Sequence, residues 1–367
     1  MKEVIFCTDG IFPHSIGGMQ RHSKLLIEQM SKDSNLELIV VHPHKETVFD
    51  VKTGVKEVSI EGIDESKNYL KECYHYSKRV SKVLDEYPNA IIYSQGLSVW
   101  YKVKKYGERL IINPHGLEPF QTISIKDKLI SIPFRLIFRK IFKRARFVVS
   151  LGGELTEILK KNVKNQKIYE LPNAVNLPNE KIKGIKNQPE KLEFLFVARF
   201  ASNKGIHILM DAIDKLNRLG YNDKIFFHLC GKGPLYDDYV KNHQKENVKF
   251  WGFVSDDDLR NLYETVDVFC FPTLFEGMPT VVLEAMSYKL PVIVSNTGAT
   301  AVLVDENNGY LIEKNNVDAL FDAITAYVDL GEEQKNKLAE NSLSKVEEFF
   351  TWQKVAKRHL ELFNSIN

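Results

Sequence analysis

Short, nearly unbroken apolar runs recur along the chain, separated by stretches whose apolar positions repeat at helical spacing. The runs predict strands at 3–8, 36–42, 90–94, 109–113, 147–151 and 168–171, with helices at 19–31 and 69–87 between them. Residues 176–191 (NLPNEKIKGIKNQPEK) are polar and rich in Lys, Asn, Gly and Pro, and they bury nothing. The pattern then restarts, with strands at 192–199, 224–230, 248–254, 267–272 and 291–295 and a closing helix at about 352–366. Strands that are apolar on both faces, with helices between them, predict parallel sheets covered on both sides. The fold class is therefore α/β, with two doubly wound, Rossmann-like parallel-sheet domains facing across a cleft. The expected boundaries are 1–175 for the first domain, 176–191 for a linker, 192–350 for the second domain and 351–367 for a helix returning to the first.

Composition narrows the reading. The chain has 367 residues, more than one ordinary core takes up, so two domains of roughly 170 residues each are the default. Charged residues make up 27% but the net charge is only +2, so the chain lacks the basic excess of a nucleic-acid binder. The four cysteines have no C-x-x-C spacing, and three lie in apolar strand runs. They read as reduced core residues, neither disulfides nor metal ligands. The sequence opens on a strand without a signal-peptide pattern, and no apolar run approaches the roughly 20 residues that span a bilayer. A cytoplasmic location is expected.

The candidate chemistry sits mainly in the second half. Phe275 to Met286 read FEGMPTVVLEAM, with Glu276 and Gly277 in a loop and Glu284 in the second turn of an apolar helix. Pro279 suits the first helical position. The free N–H groups of such a helix start suit a phosphate. Taken alone, two solvated acids on a buried βα unit account for the pattern equally well. Arg199 at a strand end and Lys204 at the next helix start shift the balance, because strand ends of an open α/β sheet are where ligands bind. Arg offers a planar fork to two phosphate oxygens, and Lys a compact charge.

These stretches resemble the signature of the retaining, nucleotide-sugar-dependent glycosyltransferases of family 4, which have the GT-B fold. The likeness runs along nearly the whole chain: Gly17-Gly18-Met19-Gln20-Arg21-His22, Pro114-His115-Gly116, Leu171 to Asn176, Gly231-Lys232-Gly233-Pro234, Trp251 to Val254, Glu306 to Gly309 and Phe350-Thr351-Trp352 follow in family order. The resemblance implies that Arg199 and Lys204 bind the donor diphosphate and that Glu276 contacts hydroxyls of the transferred sugar. It gives His115 to orienting that sugar and Glu284 to the ribose. The amides of Gly277 and Met278 would lie near the sugar or diphosphate, Gly17 and Gly18 would admit the diphosphate closely, and Phe253 and Val254 would flank the base. Gly231 joins the donor-binding set. Glu118 would either assist the acceptor or be solvated.

No metal or other cofactor is expected, since two cations and a helix start supply the charge. The partners implied are a nucleotide-diphosphate sugar and a glycan or lipid-linked acceptor, as in bacterial-type surface polysaccharide synthesis. Front-face displacement with retention is the favoured mechanism, with Glu276 as a covalent nucleophile its variant. A GT-B-like sugar-nucleotide epimerase and a non-catalytic nucleotide-sugar binder are the rivals. Some positions depart from the family pattern: Lys289, Ala301, Ala174 and Asn176 stand where Gly, Glu, Gly and Asp are usual. They leave donor preference open.

Phe134 to Arg146 (FRLIFRKIFKRAR) is a basic amphipathic helix pattern without an acid. Its apolar stripe either lies on an anionic membrane or packs on the first-domain sheet, and the two hold together if the core side faces inward and the bases face lipid. Peripheral attachment to the inner face of the cell membrane is the corresponding expectation.

Overall fold

The computed structural model describes the chain apart from residues 65, 122–124, 165–166, 179–190 and 367. Most of the segment expected as a linker, 176–191, thus lies outside the described residues. The chain divides into two compact units, one of Met1–Asn173 with Trp352–Asn367 and one of Ala174–Thr351.

The first unit holds a seven-stranded parallel sheet. Its strands are β1 (Lys2–Cys7), β2 (Leu36–His42), β3 (Lys56–Ser59), β4 (Ile91–Gln95), β5 (Leu110–Asn113), β6 (Phe147–Ser150) and β7 (Ile168–Glu170). Their spatial order is β3-β2-β1-β4-β5-β6-β7. The central strands are buried on both faces, which is why they read as unbroken apolar runs: Val4, Ile5, Phe6, Val40, Val41, Ile92 and Ile112 are all in the core. The Trp352–Asn364 helix completes this unit. Phe363 packs on Phe6 and Tyr93, and His359 Nε2 lies 3.1 Å from the Tyr93 hydroxyl.

The second unit repeats the architecture with six parallel strands. They are β8 (Leu192–Val197), β9 (Ile225–Cys230), β10 (Val248–Gly252), β11 (Val268–Phe271), β12 (Val292–Ser295) and β13 (Gly309–Ile312), in the order β10-β9-β8-β11-β12-β13. In each sheet the strand order reverses once, at β1/β4 and at β8/β11. Loops leaving the carboxyl ends at such a reversal diverge to opposite sides and leave a crevice. The loops that carry Gly17 and Gly18 and those that carry Arg199, Lys204 and Glu276 leave at these two points.

Several expected limits move. β8 stops at Val197 and β10 at Gly252, so Arg199, Phe253 and Val254 lie beyond their strands, on turns. Pro279 caps the Thr280–Ser287 helix and is not its first residue. β3 and β13 were not among the expected strands. All four cysteines are buried and free, and burial pushes the Cys73 thiol up to about 11 and the Cys230 thiol to about 12.

Candidate functional site

In the second unit, two loops from neighbouring strands are pressed together. After β8, a short 3-10 turn, Ser202–Lys204, leads through Gly205 into the Ile206–Arg218 helix. Gly205 has φ +73°, and a Cβ there would lie 1.8 Å from the carbonyl oxygen of Pro272. Only glycine lets this turn touch the loop after β11. The contact is sealed by the Leu274 amide and the Thr273 hydroxyl, which both donate to the Asn203 carbonyl, at 2.9 and 3.2 Å. On the other side, Gly298 (φ +59°) leaves room for the Glu276 carbonyl, 2.1 Å from where its Cβ would be, and Ala299 donates its amide to Gly277.

This clamp brings Lys204 and Glu276 together. The Lys204 ammonium donates to Glu276 Oε1 at 2.5 Å, and the Thr273 hydroxyl donates to the same oxygen at 3.3 Å. Both side chains are largely enclosed, with 25% and 12% of their surface exposed. Two residues 72 positions apart thus share one point beside the Thr280–Ser287 helix start. Met278 is buried and Gly277 half-buried in the same loop.

Arg199 is exposed on the turn after β8. Among the described residues no side chain holds its guanidinium. Glu284 accepts a hydrogen bond from the Tyr263 hydroxyl at 3.2 Å. Tyr263 is buried and stacks on Tyr288 at 5.4 Å. Burial, reinforced by the Glu284 charge, pushes the Tyr263 phenol well above its usual range, so it stays a donor. Gly231 donates its amide to Gly252 at 2.7 Å, tying the ends of β9 and β10 together. Phe253, just beyond, is 80% exposed, and Val254 is half-buried.

In the first unit, Gly17 caps and Gly18 begins the Gly18–Met30 helix, and nothing lies within 4 Å of where a Cβ on Gly18 would stand. His115 sits after β5 in a left-handed conformation, φ +56°, which is uncommon for a residue with a Cβ. Its amide donates to Asn113 Oδ1 at 2.9 Å, and Gly116 donates to the Pro114 carbonyl at 2.7 Å, closing the turn. The His115 Nε2 is enclosed without a hydrogen-bond partner. Burial, helped by the nearby His359, holds its pKa down to about 3, so the imidazole is neutral.

Beside it stands a group that the motifs did not single out as functional. The His22 ring meets His115 edge-on at 5.6 Å and Trp352 at 5.2 Å. His22 is likewise held neutral by burial, then by His115 and His359. Ser23 donates to Gln95 Oε1 at 2.7 Å, and the Gln95 Nε2, His22 Nδ1 and Trp352 Nε1 are buried without partners. His22 and Trp352 were visible only as members of motifs, and Gln95 gave no signal.

Two family descriptions match end to end: "Glycosyltransferase Family 4" over residues 16–178 and "Glycosyl transferases group 1" over 178–345. The chain belongs to the family 4 glycosyltransferases. An uncharacterized glycosyltransferase of Methanocaldococcus jannaschii is 25% identical over 92% of each chain. The Escherichia coli enzyme UDP-Gal:alpha-D-GlcNAc-diphosphoundecaprenol alpha-1,3-galactosyltransferase is 29% identical over 63% of each. Among solved structures, sucrose-phosphate synthase from Thermosynechococcus elongatus superimposes with a TM-score of 0.80 at 17% identity, covering 100% of this chain and 99% of that one. That likeness carries the fold, which is GT-B. For a family 4 glycosyltransferase, the clamp holding Lys204 on Glu276 is the candidate active-site feature of the second unit.

Proposed function

We propose that this glycosyltransferase moves a sugar from a nucleotide-diphosphate donor to an acceptor hydroxyl with the anomeric configuration retained. The observation that carries the reading is the Lys204–Glu276 pair beside a helix start. An ammonium that already neutralises one carboxylate can exchange it for a diphosphate. Glu276, released, then accepts hydrogen bonds from hydroxyls of the transferred sugar. The Thr280–Ser287 helix adds amide donors and partial positive charge for the phosphate oxygens. Arg199, exposed on the turn after β8, supplies a second cation.

As the sugar–phosphate bond breaks, negative charge grows on the leaving oxygen, and fixed cations stabilise it more than they stabilise the bound donor. The departing phosphate oxygen takes the proton of the acceptor hydroxyl, which attacks from the same face of the sugar. Electrons and protons balance without a metal, because Lys204, Arg199 and the helix amides supply the charge. Glu284, oriented by Tyr263, serves the ribose, and Phe253 with Val254 the base; Gly231, Gly277 and Met278 line the donor side. In the first unit, neutral His115 serves as a hydrogen-bonding group for the donor sugar, and Gly17 and Gly18 give backbone approach to the diphosphate.

The name of the Escherichia coli relative supports a UDP-hexose donor and a lipid-linked glycan acceptor, hence a role in surface polysaccharide synthesis. The test is a screen of UDP-, GDP- and ADP-sugars for thermal stabilisation and slow donor hydrolysis. A true donor at a hundredfold its Kd should add about 2.7 kcal/mol of stability, and Lys204→Ala should abolish both shift and turnover. NMR of the product must show the donor's anomeric configuration; an inverted product would remove the retaining assignment. Activity on the donor alone that yields an epimer would favour the epimerase reading instead.

A further inference from the structure

The closing helix, Trp352–Asn364, reaches the turn of His115 through a buried chain of hydrogen bonds in the first unit. The chain starts at the His359 ring, whose Nδ1 lies 2.9 Å from the Val355 carbonyl on the same helix. A carbonyl only accepts, so Nδ1 carries the proton. Burial holds the imidazole neutral, with its pKa down to about 4, which leaves Nε2 a bare acceptor. The Tyr93 hydroxyl on β4, 3.1 Å away, therefore donates to it. Burial pushes that phenol above its usual range, so the proton stays on it. With its hydrogen spent, the Tyr93 oxygen accepts from Asn113 Nδ2 at 3.0 Å. The other end of that amide, Oδ1, accepts from the His115 backbone N–H at 2.9 Å. One direction of donation satisfies all four bonds.

Tyr93, Asn113 and His359 are all fully buried. An apolar set would fill the same space with no polar atom to satisfy, whereas a buried network with every member paired makes its surroundings rigid. This network ends on the residue that most needs holding. His115 has φ +56°, a region that residues with a Cβ disfavour. Its ring Nε2 has no partner, so the ring itself is left for something else to bind. We propose that His359, Tyr93 and Asn113 are positioning residues, a relay by which the closing helix holds the His115 turn in its left-handed form and so aims the imidazole. The effect on turnover rests on the reading of His115 as a group that meets the transferred sugar; the hold on the turn does not.

The test has one readout without substrate and one with it. Hydrogen exchange of the His115 amide through local opening is followed in the free protein, and kcat and KM are measured for UDP-galactose hydrolysis. Tyr93→Phe removes only the hydroxyl that joins the two halves of the relay. It should speed His115 exchange about tenfold and lower kcat about tenfold, with KM within about twofold. His359→Leu should do the same, and His359→Gln, whose amide oxygen can accept from Tyr93, should recover part of both. Leu362→Ala opens a cavity under the same helix without touching the relay. It should lower the urea midpoint yet leave His115 exchange and kcat as in the parent protein. Unchanged His115 exchange in Tyr93→Phe and His359→Leu would overturn the relay. So would a kcat loss that Leu362→Ala reproduces in full, since stability alone would then account for it. If His115→Ala hydrolyses UDP-galactose as the parent does, it is the assignment of His115 to the sugar that fails, and the exchange rates alone decide for or against the hold on the turn.

Discussion

Gly205 and Gly18 are both glycines before or at a helix start, yet the structure gives them opposite meanings. Gly205 is left-handed and pressed on the Pro272 carbonyl, so Gly205→Ala combines a backbone penalty of about 1–2 kcal/mol with a backbone collision at 1.8 Å. It should lower stability to urea by more than about 2 kcal/mol and pull Lys204 off Glu276. Gly18 faces open space. Gly18→Ala should leave stability unchanged or raise it by about 0.5–1 kcal/mol, while donor affinity falls if the diphosphate approaches that backbone. Unchanged affinity in a Gly18→Ala protein would remove Gly18 from the donor set. At this scale the sequence was informative where chemistry follows spacing. Lys204 and Glu276 were named as separate ligands of one donor, but their direct pairing was not foreseen, because it depends on loops from two neighbouring strands. The group around His22, Gln95 and Trp352 was not legible at all: the carboxyl end of β4, the Gly18–Met30 helix and the last helix meet there only once the sheet order is known.

That meeting of elements has a consequence for pH. His22 lies on the helix after β1, His115 after β5 and His359 on the closing helix, and all three are held neutral by burial, His115 down to about 3 and His359 to about 4. In the unfolded chain each titrates near 6.5. Between these values the unfolded state binds more protons than the folded one, so stability rises with pH. It is fully present above about pH 6.5 and is lost as the pH falls toward the folded values. By pH 5 His115 and His359 should each cost about 2 kcal/mol relative to neutral pH, and His22 acts in the same direction. Urea midpoints measured from about pH 7.5 down to about pH 5 should therefore fall, and His359→Gln should make the slope shallower. A flat parent profile would contradict the burial of these rings. The elements themselves were mostly readable, because strands buried on both faces leave continuous apolar runs. The misses share a cause: β3 (KEVS) and β13 (GYLI) are both edge strands and lack the continuous burial of the central ones. Strand ends were drawn one or two residues too long, as at Ala198–Arg199, where the chain bends just past Val197.

At the scale of the whole molecule, the second unit is an insertion within the first. Its two ends are paired, Val175 with Thr351, and the Val175 amide donates to the Phe350 carbonyl at 2.9 Å. Residues 174–351 therefore form a closed piece with its own sheet, whereas residues 1–173 lack part of their core. Val355, Leu362 and Phe363 of the closing helix are fully buried, together about 5–9 kcal/mol of apolar burial. Lys2 Nζ also donates to the Phe363 carbonyl at 2.9 Å. That burial is comparable with the entire stability of an ordinary domain, about 5–15 kcal/mol. A fragment of residues 174–351 should accordingly melt cooperatively by circular dichroism. A fragment of 1–173 should show no cooperative transition and should bind a hydrophobic dye, until residues 352–367 are joined to it by a flexible linker. If 1–173 melts cooperatively on its own, the closing helix is an ornament on a finished core, and the assignment of Trp352–Asn367 to the first unit has no energetic content.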